Sequence, residues 1–159
     1  MFSPKFTSFL GLIGFLLAVT ASALVGGWAV SQSVGDWYVT LPKPSWNPPS
    51  WVFGPVWTVL FILMAIAAWT VWCKRTEQPI RSAMVAFWVQ LMLNTLWSWC
   101  FFGWRSPGWA LVEILILWVA IVTMTWFYAR IFRLALWLSV PYVAWVSFAV
   151  VLNAAIVAS

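Results

Sequence analysis

Five long apolar segments dominate the sequence, and short stretches with charged or proline residues separate them. The segments cover about residues 6–29, 52–72, 82–102, 108–128 and 134–157. Each is long enough to cross the roughly 30 Å hydrocarbon core of a bilayer as an α-helix. None alternates polar and apolar residues as a strand of a membrane barrel does. The pattern predicts an all-α membrane protein in which residues 1–159 form a single domain, a bundle of five transmembrane helices.

The first connection, about residues 30–51, is longer than the others and rich in proline and aromatic residues. Its prolines are Pro42, Pro44, Pro48 and Pro49, and its aromatic residues are Trp37, Tyr38, Trp46 and Trp51. Proline fixes the backbone φ angle and favours extended polyproline geometry. We therefore expect a stiff aromatic loop on one side of the membrane.

Basic residues are unevenly divided between the two sides that five spans create. One side receives Lys5, Lys74, Arg75, Arg81, Arg130 and Arg133, whereas the other receives Lys43 and Arg105. By the positive-inside rule the first side, with the N-terminus, is cytoplasmic. The net charge of +5 then sets orientation, and no nucleic-acid partner is expected. A signal peptide ending at Ala21-Ser22-Ala23 is an alternative for the first segment, but apolar residues continue to Val30.

The composition excludes several classes of protein and of site. Hydrophobic residues make up 65% of the chain and charged residues 7%, whereas a soluble domain is nearer half apolar and a quarter charged. Histidine is absent and the acids are Asp36, Glu77 and Glu113, which leaves little for hydrolytic or metal-dependent catalysis. Cys73 and Cys100 lie near opposite ends of their spans, too far apart for a disulfide. No metal site and no required cofactor are expected.

One polar stripe lies inside the third span. Gln90, Asn94 and Ser98 follow a four-residue spacing, which places them on one helix face. Buried polar groups in a membrane are normally paired or functional. The stripe is interpreted either as hydrogen bonding between helices or as the polar anchor of an apolar ligand pocket.

Several tryptophans lie too deep in the spans to belong to interfacial belts. They are Trp57, Trp97, Trp118 and Trp145. On the fifth span Trp145 shares a face with Tyr142, Ala149, Leu152 and Asn153. An indole N–H needs a partner, which favours a protein-lined cavity, and core packing is the alternative.

Two further features concern helix contacts. Gly14, Ala18, Ser22 and Gly26 form a row of small residues that allows close helix approach. We expect packing against another helix of the chain, with a ligand groove or dimer seam as the alternative.

Glu113, which shares a face with Trp109, is the one acid inside a span, and we expect it to pair with Arg105 at the helix end.

The first connection and the segment after it contain a specific motif. Trp37-Tyr38 is followed at residues 43–57 by Lys-Pro-Ser-Trp-Asn-Pro-Pro-Ser-Trp-Val-Phe-Gly-Pro-Val-Trp. The motif resembles that of the TspO/MBR family, the tryptophan-rich sensory protein/translocator protein or peripheral benzodiazepine receptor family. The resemblance extends through Leu93-Asn94-Thr-Leu-Trp97, Phe101-Phe-Gly103, Gly108-Trp-Ala-Leu-Val112, Pro141-Tyr142-x-x-Trp145-x-x-Phe148-Ala149 and Leu152-Asn153.

This resemblance implies a five-helix bundle, often a homodimer, in which the first loop is a lid over a cavity. Family members bind porphyrins such as protoporphyrin IX, haem, and other lipophilic ligands, with cholesterol in animal members. Carried over by motif, the ligand-binding residues are Tyr38, Trp46, Trp57, Asn94, Trp97, Trp109, Trp145, Ala149 and Leu152. Trp57 and Trp145 match the tryptophans that the family links to light-dependent porphyrin breakdown. The animal sterol motif after Leu152-Asn153 is missing here, and the short tails look bacterial, which implies a bacterial cell membrane.

Three ligand-related functions therefore remain in view, beside a structural membrane anchor without a ligand, against which the rigid aromatic loop and the polar stripe argue. The first is a membrane protein that binds and senses porphyrins without being an enzyme. The second is a transporter of tetrapyrroles or lipophiles, although the sequence shows no inverted repeat and no broken helix pair. The third is an enzyme that degrades porphyrin with light and oxygen through Trp57 and Trp145.

Overall fold

The computed structural model describes residues 4–159, with side chains from Ser8 onward, so the side chain of Lys5 lies outside the described part. The helices are α1 (Pro4–Ser31), α2 (Trp37–Thr40), α3 (Ser50–Cys73), α4 (Arg81–Ser98), α5 (Pro107–Ile131) and α6 (Arg133–Ala158). All but α2, with α4 counted through Gly103, are long and apolar enough to cross a membrane. The described residues contain no strand. The expected all-α architecture with five spans is confirmed.

Local sequence explains where the spans begin. Pro49 lies directly before α3, and Pro107 occupies the first turn of α5, where a missing backbone N–H costs nothing. Between α5 and α6 a single extended residue, Phe132 (φ −155°, ψ 116°), breaks the helix. The chain therefore turns from α5 into α6 over one residue.

The five long helices form a closed ring. Helix α1 packs against α3 and α4, α3 also packs against α6, and α5 joins α6 to α4. Apolar side chains fill the interior where neighbouring helices meet, among them Leu60, Met64, Phe87, Leu117, Ile121 and Val146. Lipid tails are as apolar as these side chains, so close van der Waals packing holds the ring together.

The ring has two unlike ends. The basic end carries Lys74, Arg75, Arg81, Arg130 and Arg133, in or beside the α3–α4 and α5–α6 links. The lid end carries α2, the proline-rich segment that follows it, and the link between α4 and α5.

Helix α4 widens before it ends at the lid end, a feature that the sequence did not predict. Residues Trp99–Gly103 form a π-helical turn, and the backbone N–H of Trp104 donates to the Trp99 carbonyl oxygen at 2.7 Å. A Cβ atom on Gly103 would lie 2.7 Å from the Trp99 ring, so this turn requires glycine. Arg105 then takes a positive φ of 51°, and the chain reverses into α5.

Candidate ligand-binding site

The lid half of the ring encloses a cavity of about 750 Å³. Its walls come from α1, α3, α4 and α6, and Tyr38 of α2, within the first connection, also lines it. Helix α5 contributes no lining residue among those described. The volume lies within the roughly 300–1,000 Å³ typical of small-molecule sites.

Aromatic side chains from three helices form much of the wall. Trp57, Trp97 and Trp145 all line the cavity. The ring centroids of Trp145 and Phe53 lie 5.8 Å apart, and those of Trp97 and Phe101 lie 5.4 Å apart. Such edge-to-face and tilted pairs favour a fixed arrangement of rings. The wall therefore offers flat, rigid, polarisable surfaces to a ligand.

The polar stripe of α4 meets a single hydroxyl of α6. Tyr142, which is 1% exposed, donates through its Oη to Gln90 Oε1 at 2.9 Å and accepts from Asn94 Nδ2 at 3.0 Å. Hydrogen bonding between helices, one of the two interpretations, is thus present. Asn94 also lines the cavity, and its second N–H and its carbonyl oxygen have no partner among the described residues.

We call the segment from Tyr38 to Asn47 the roof of the cavity, and hydrogen bonds within this segment hold it in place. Tyr38 is 5% exposed and donates through its Oη to Asn47 Oδ1 at 3.2 Å. Burial raises the pKa of Tyr38, so this hydroxyl stays neutral and protonated. The Lys43 ammonium donates to the carbonyl oxygens of Tyr38 at 2.6 Å and Leu41 at 2.9 Å. The ammonium charge therefore stabilises the carbonyl oxygens at the C-terminal end of α2.

A second set of contacts ties α2 to the α4–α5 link. The Arg105 guanidinium donates to Asp36 Oδ2 at 3.2 Å and to Ser33 Oγ at 3.2 Å. Ser33 is 1% exposed and donates to the Phe102 carbonyl oxygen at 2.6 Å. We call Arg105, Asp36 and Ser33 the latch. It joins the roof to the π-helical turn that carries Phe101 and Phe102.

The structure brings most of the predicted ligand-binding residues to one place. The cavity is lined by Tyr38, Trp57, Asn94, Trp97, Trp145, Ala149 and Leu152. Trp46 lies outside the lining and packs against Phe148, with ring centroids 5.9 Å apart. Trp109 is 71% exposed and also lies outside the lining, because α5 forms no part of the described wall.

Other lining residues were not among the predicted ligand-binding residues. Phe53, Phe61 and Phe101 line the cavity, as do Ser22 and Gly26 of α1, two members of the row for which a ligand groove was the alternative interpretation. The row of small residues on α1 was a usable signal, because small side chains leave space beside a helix. It serves both interpretations: Ser22 Oγ lies 2.6 Å from Thr95 Oγ1 of α4, and the same residues border the cavity.

The expected pairing of Glu113 with Arg105 is wrong. Arg105 binds Asp36 instead. Glu113 is 6% exposed, and its carboxyl oxygens have no hydrogen-bond partner among the described residues. The prediction failed because the sequence gives the position of Glu113 along α5 but does not show which neighbouring helices cover its side chain.

The thiols and acids form no metal centre in the described part of the chain. Cys73 and Cys100 are both free thiols. Trp118 lies in the middle of α5, as expected, but outside the cavity lining; it is 36% exposed and donates through its indole N–H to Ser147 Oγ at 2.8 Å.

Comparisons with known proteins converge on one family. The model of the TspO/MBR family matches residues 14–158. The tryptophan-rich protein TspO of Chlorobaculum tepidum is 46% identical, covering 89% of this chain and 88% of that protein. TspO of Archaeoglobus fulgidus is 39% identical, covering 92% and 95% respectively. The human translocator protein is 39% identical, covering 89% and 85%.

Proposed function

The chain belongs to the TspO/MBR family, and from that premise we propose that it is an integral membrane protein that binds and senses porphyrins. Protoporphyrin IX and haem are the ligands meant, with other flat lipophilic molecules beside them. The observation that carries the proposal is the aromatic cavity of about 750 Å³ beneath the first loop.

The cavity wall suits the plane of a tetrapyrrole. Trp57 and Trp145 offer indole faces, which stack on a flat π system at favourable offset distances. Asn94 is the polar group best placed for a ring edge, because Tyr142 uses only one of its two N–H donors. Lys43 would have to give up its carbonyl partners to meet a propionate, so it is a weaker candidate for that role.

The absence of histidine from the sequence bears on the metal. Haem iron usually takes a histidine as its axial ligand. We therefore expect metal-free protoporphyrin IX to bind at least as tightly as haem. A six-coordinate haem spectrum with clearly tighter haem binding would contradict this.

Membrane orientation is part of the same proposal. Lys74, Arg75, Arg81, Arg130 and Arg133 all lie at the basic end. By the positive-inside rule that end faces the cytoplasm, here of a bacterial cell. The lid then faces the opposite compartment.

Titration with protoporphyrin IX in detergent tests the binding proposal. We expect saturable quenching of tryptophan fluorescence in the wild type and weaker binding in Trp145→Phe and Asn94→Ala. Trp109→Phe is the matched control, because it makes the same replacement at an indole outside the cavity lining. Linear quenching that is equal in all four proteins would mean partition into the micelle and would sink the proposal.

A second candidate function is favoured by one observation, since Trp57 and Trp145 line the same cavity. This is light- and oxygen-dependent breakdown of the bound porphyrin. We expect product formation to fall in Trp57→Phe/Trp145→Phe at equal porphyrin occupancy. Unchanged product formation would assign it to free porphyrin photochemistry.

A further inference from the structure

The basic end carries arginine side chains that the bundle does not use. Glu77 is the acid at this end, and its carboxylate lies 3.0 Å from Lys74 Nζ. Arg75 stacks on Trp72, with its guanidinium 3.4 Å from the ring centroid, and also donates to the Trp72 carbonyl oxygen at 3.1 Å. By contrast, Arg81, Arg130 and Arg133 are exposed and pair with no carboxylate among the described residues, and the last two lie only three residues apart.

Each of these two arginines lies four residues from an exposed tryptophan. Trp126 precedes Arg130 and is 52% exposed, and Trp137 follows Arg133 and is 62% exposed. The Arg130 guanidinium lies 4.6 Å from the centroid of the Trp126 ring. Trp126 and Trp137 lie near the ends of α5 and α6, and tryptophan near the ends of membrane helices is enriched at headgroup level. Both guanidinium groups are therefore placed near the depth of lipid phosphates.

The backbone between the two arginines is held in place. Gln78 Nε2 of the α3–α4 link donates to the Ile131 carbonyl oxygen at 3.0 Å. Lys74 Nζ lies 5.3 Å from the centroid of the Phe132 ring. Arg130 and Arg133 thus emerge from a fixed turn, so holding them near one ligand costs less conformational entropy than it would in a mobile loop.

Arg133 is not explained by the stability of the fold, because it is the first residue of α6, where the positive end of the helix dipole disfavours a cation. Arg130 lies in the last turn of α5, where the dipole favours a cation, and it stacks on an indole that is itself half exposed. Orientation in the membrane accounts for the sign of these charges, but it requires neither stacking nor a fixed turn.

We propose that Arg130 and Arg133 bind the phosphate of an anionic membrane phospholipid. The planar guanidinium fork matches phosphate oxygens and holds them with paired hydrogen bonds. Trp126 and Trp137 pack against the glycerol and upper acyl regions. An anionic headgroup is favoured over choline because Glu77, the acid at this end, is already paired with Lys74.

Native mass spectrometry of the purified full chain, with phosphatidylglycerol or phosphatidylcholine added, tests this. We expect the wild type to retain phosphatidylglycerol several-fold more than phosphatidylcholine. Arg130→Gln/Arg133→Gln should lose that preference. The matched control is Arg75→Gln/Arg81→Gln, which removes the same charge at the same end of the bundle and should keep it. Equal retention of both lipids by the wild type, or equal losses in both double variants, would overturn the proposal.

Two further arms separate a lipid site from a simple anion site. Millimolar inorganic phosphate should leave bound phosphatidylglycerol in place, and displacement would reject a lipid in favour of a free anion. Arg130→Lys keeps the charge and a fold close to wild type but loses the planar fork. Its phosphatidylglycerol retention should lie between those of wild type and Arg130→Gln, and retention equal to wild type would reject recognition by the guanidinium.

Discussion

The two halves of the bundle are built from the same five helices, yet one is solid and the other is hollow. Near the basic end α1 meets α3 closely: a Cβ atom on Gly11 would lie 2.5 Å from the Trp72 ring, and the Trp69 indole N–H donates to the Ser8 carbonyl oxygen at 2.8 Å. Near the lid end α1 instead touches α4, where Gly26 lies against Ser98. The change of partner opens the space that becomes the cavity.

The difference teaches that small residues can either close or open a helix bundle. Gly11 lets α1 approach α3, whereas Gly26 lets α1 approach α4. In the lid half, hydrogen bonds between lining residues also join the helices, such as that from the Trp97 indole N–H of α4 to Asn153 Oδ1 of α6 at 3.3 Å. Stability and ligand binding should therefore respond to different substitutions in the two halves.

The largest contrast should come from the same replacement in each half. Ala68 is 0% exposed in the solid half, so Ala68→Leu should overpack the core and cost about 1–3 kcal/mol of unfolding free energy. Ala149→Leu fills cavity space, so it should cost less stability but weaken protoporphyrin IX binding roughly tenfold, or about 1.4 kcal/mol.

Thermal unfolding and porphyrin titration in the same detergent measure both effects. If Ala149→Leu destabilised the fold as much as Ala68→Leu and left binding intact, the hollow half would not be the ligand site.

Two buried tyrosines provide the next contrast. Tyr142→Phe should destabilise the protein by about 1 kcal/mol, because Gln90 and Asn94 both lose a partner. Tyr128 is 0% exposed, and its hydroxyl has no partner among the described residues. Tyr128→Phe should therefore be neutral or stabilising. Unfolding midpoints that move in the same direction for both variants would refute this difference.

Two glycines of α1 sharpen the comparison further. Gly11→Ala places a methyl group against the Trp72 ring, and we expect it to cost up to about 1 kcal/mol. Around Gly14 a Cβ would meet nothing within 4 Å, so Gly14→Ala should gain about 0.5–1 kcal/mol from higher helix propensity. We expect the thermal midpoint of Gly11→Ala to lie below that of wild type and the midpoint of Gly14→Ala to lie above it. Equal midpoints for the two variants would exclude close contact at Gly11.

The five spans could be predicted from the sequence because each is a long apolar run between charges. The cavity residues on α3, α4 and α6 were also within reach, since the spacing of Asn94 or Trp145 fixes a helix face. The π-helical turn at Trp99–Gly103 was not, because a single widened turn leaves no periodic pattern in the sequence. Trp109 shows the same limit. The sequence predicts the helix face on which Trp109 lies, but it does not show whether another helix packs against that face.

The smallest effect concerns the latch at the lid end. The backbone N–H of Trp37 and the charge of Arg105 hold the pKa of Asp36 below its ordinary value of 3.8. A depressed pKa means that the ionised carboxylate stabilises the latched state above about pH 4, and that this contribution is lost as the pH falls through the lowered value.

Hydrogen–deuterium exchange of the α2 segment measures this directly. We expect α2 to be better protected in the wild type than in Asp36→Asn at pH 7, with the difference vanishing at low pH. Comparing the two proteins at each pH removes the intrinsic pH dependence of exchange. The effect should be a few-fold at most, because the Arg105–Asp36 pair is exposed and such pairs are worth little. Equal protection at pH 7 would mean that Ser33 and the aromatic contacts hold the roof without the ion pair.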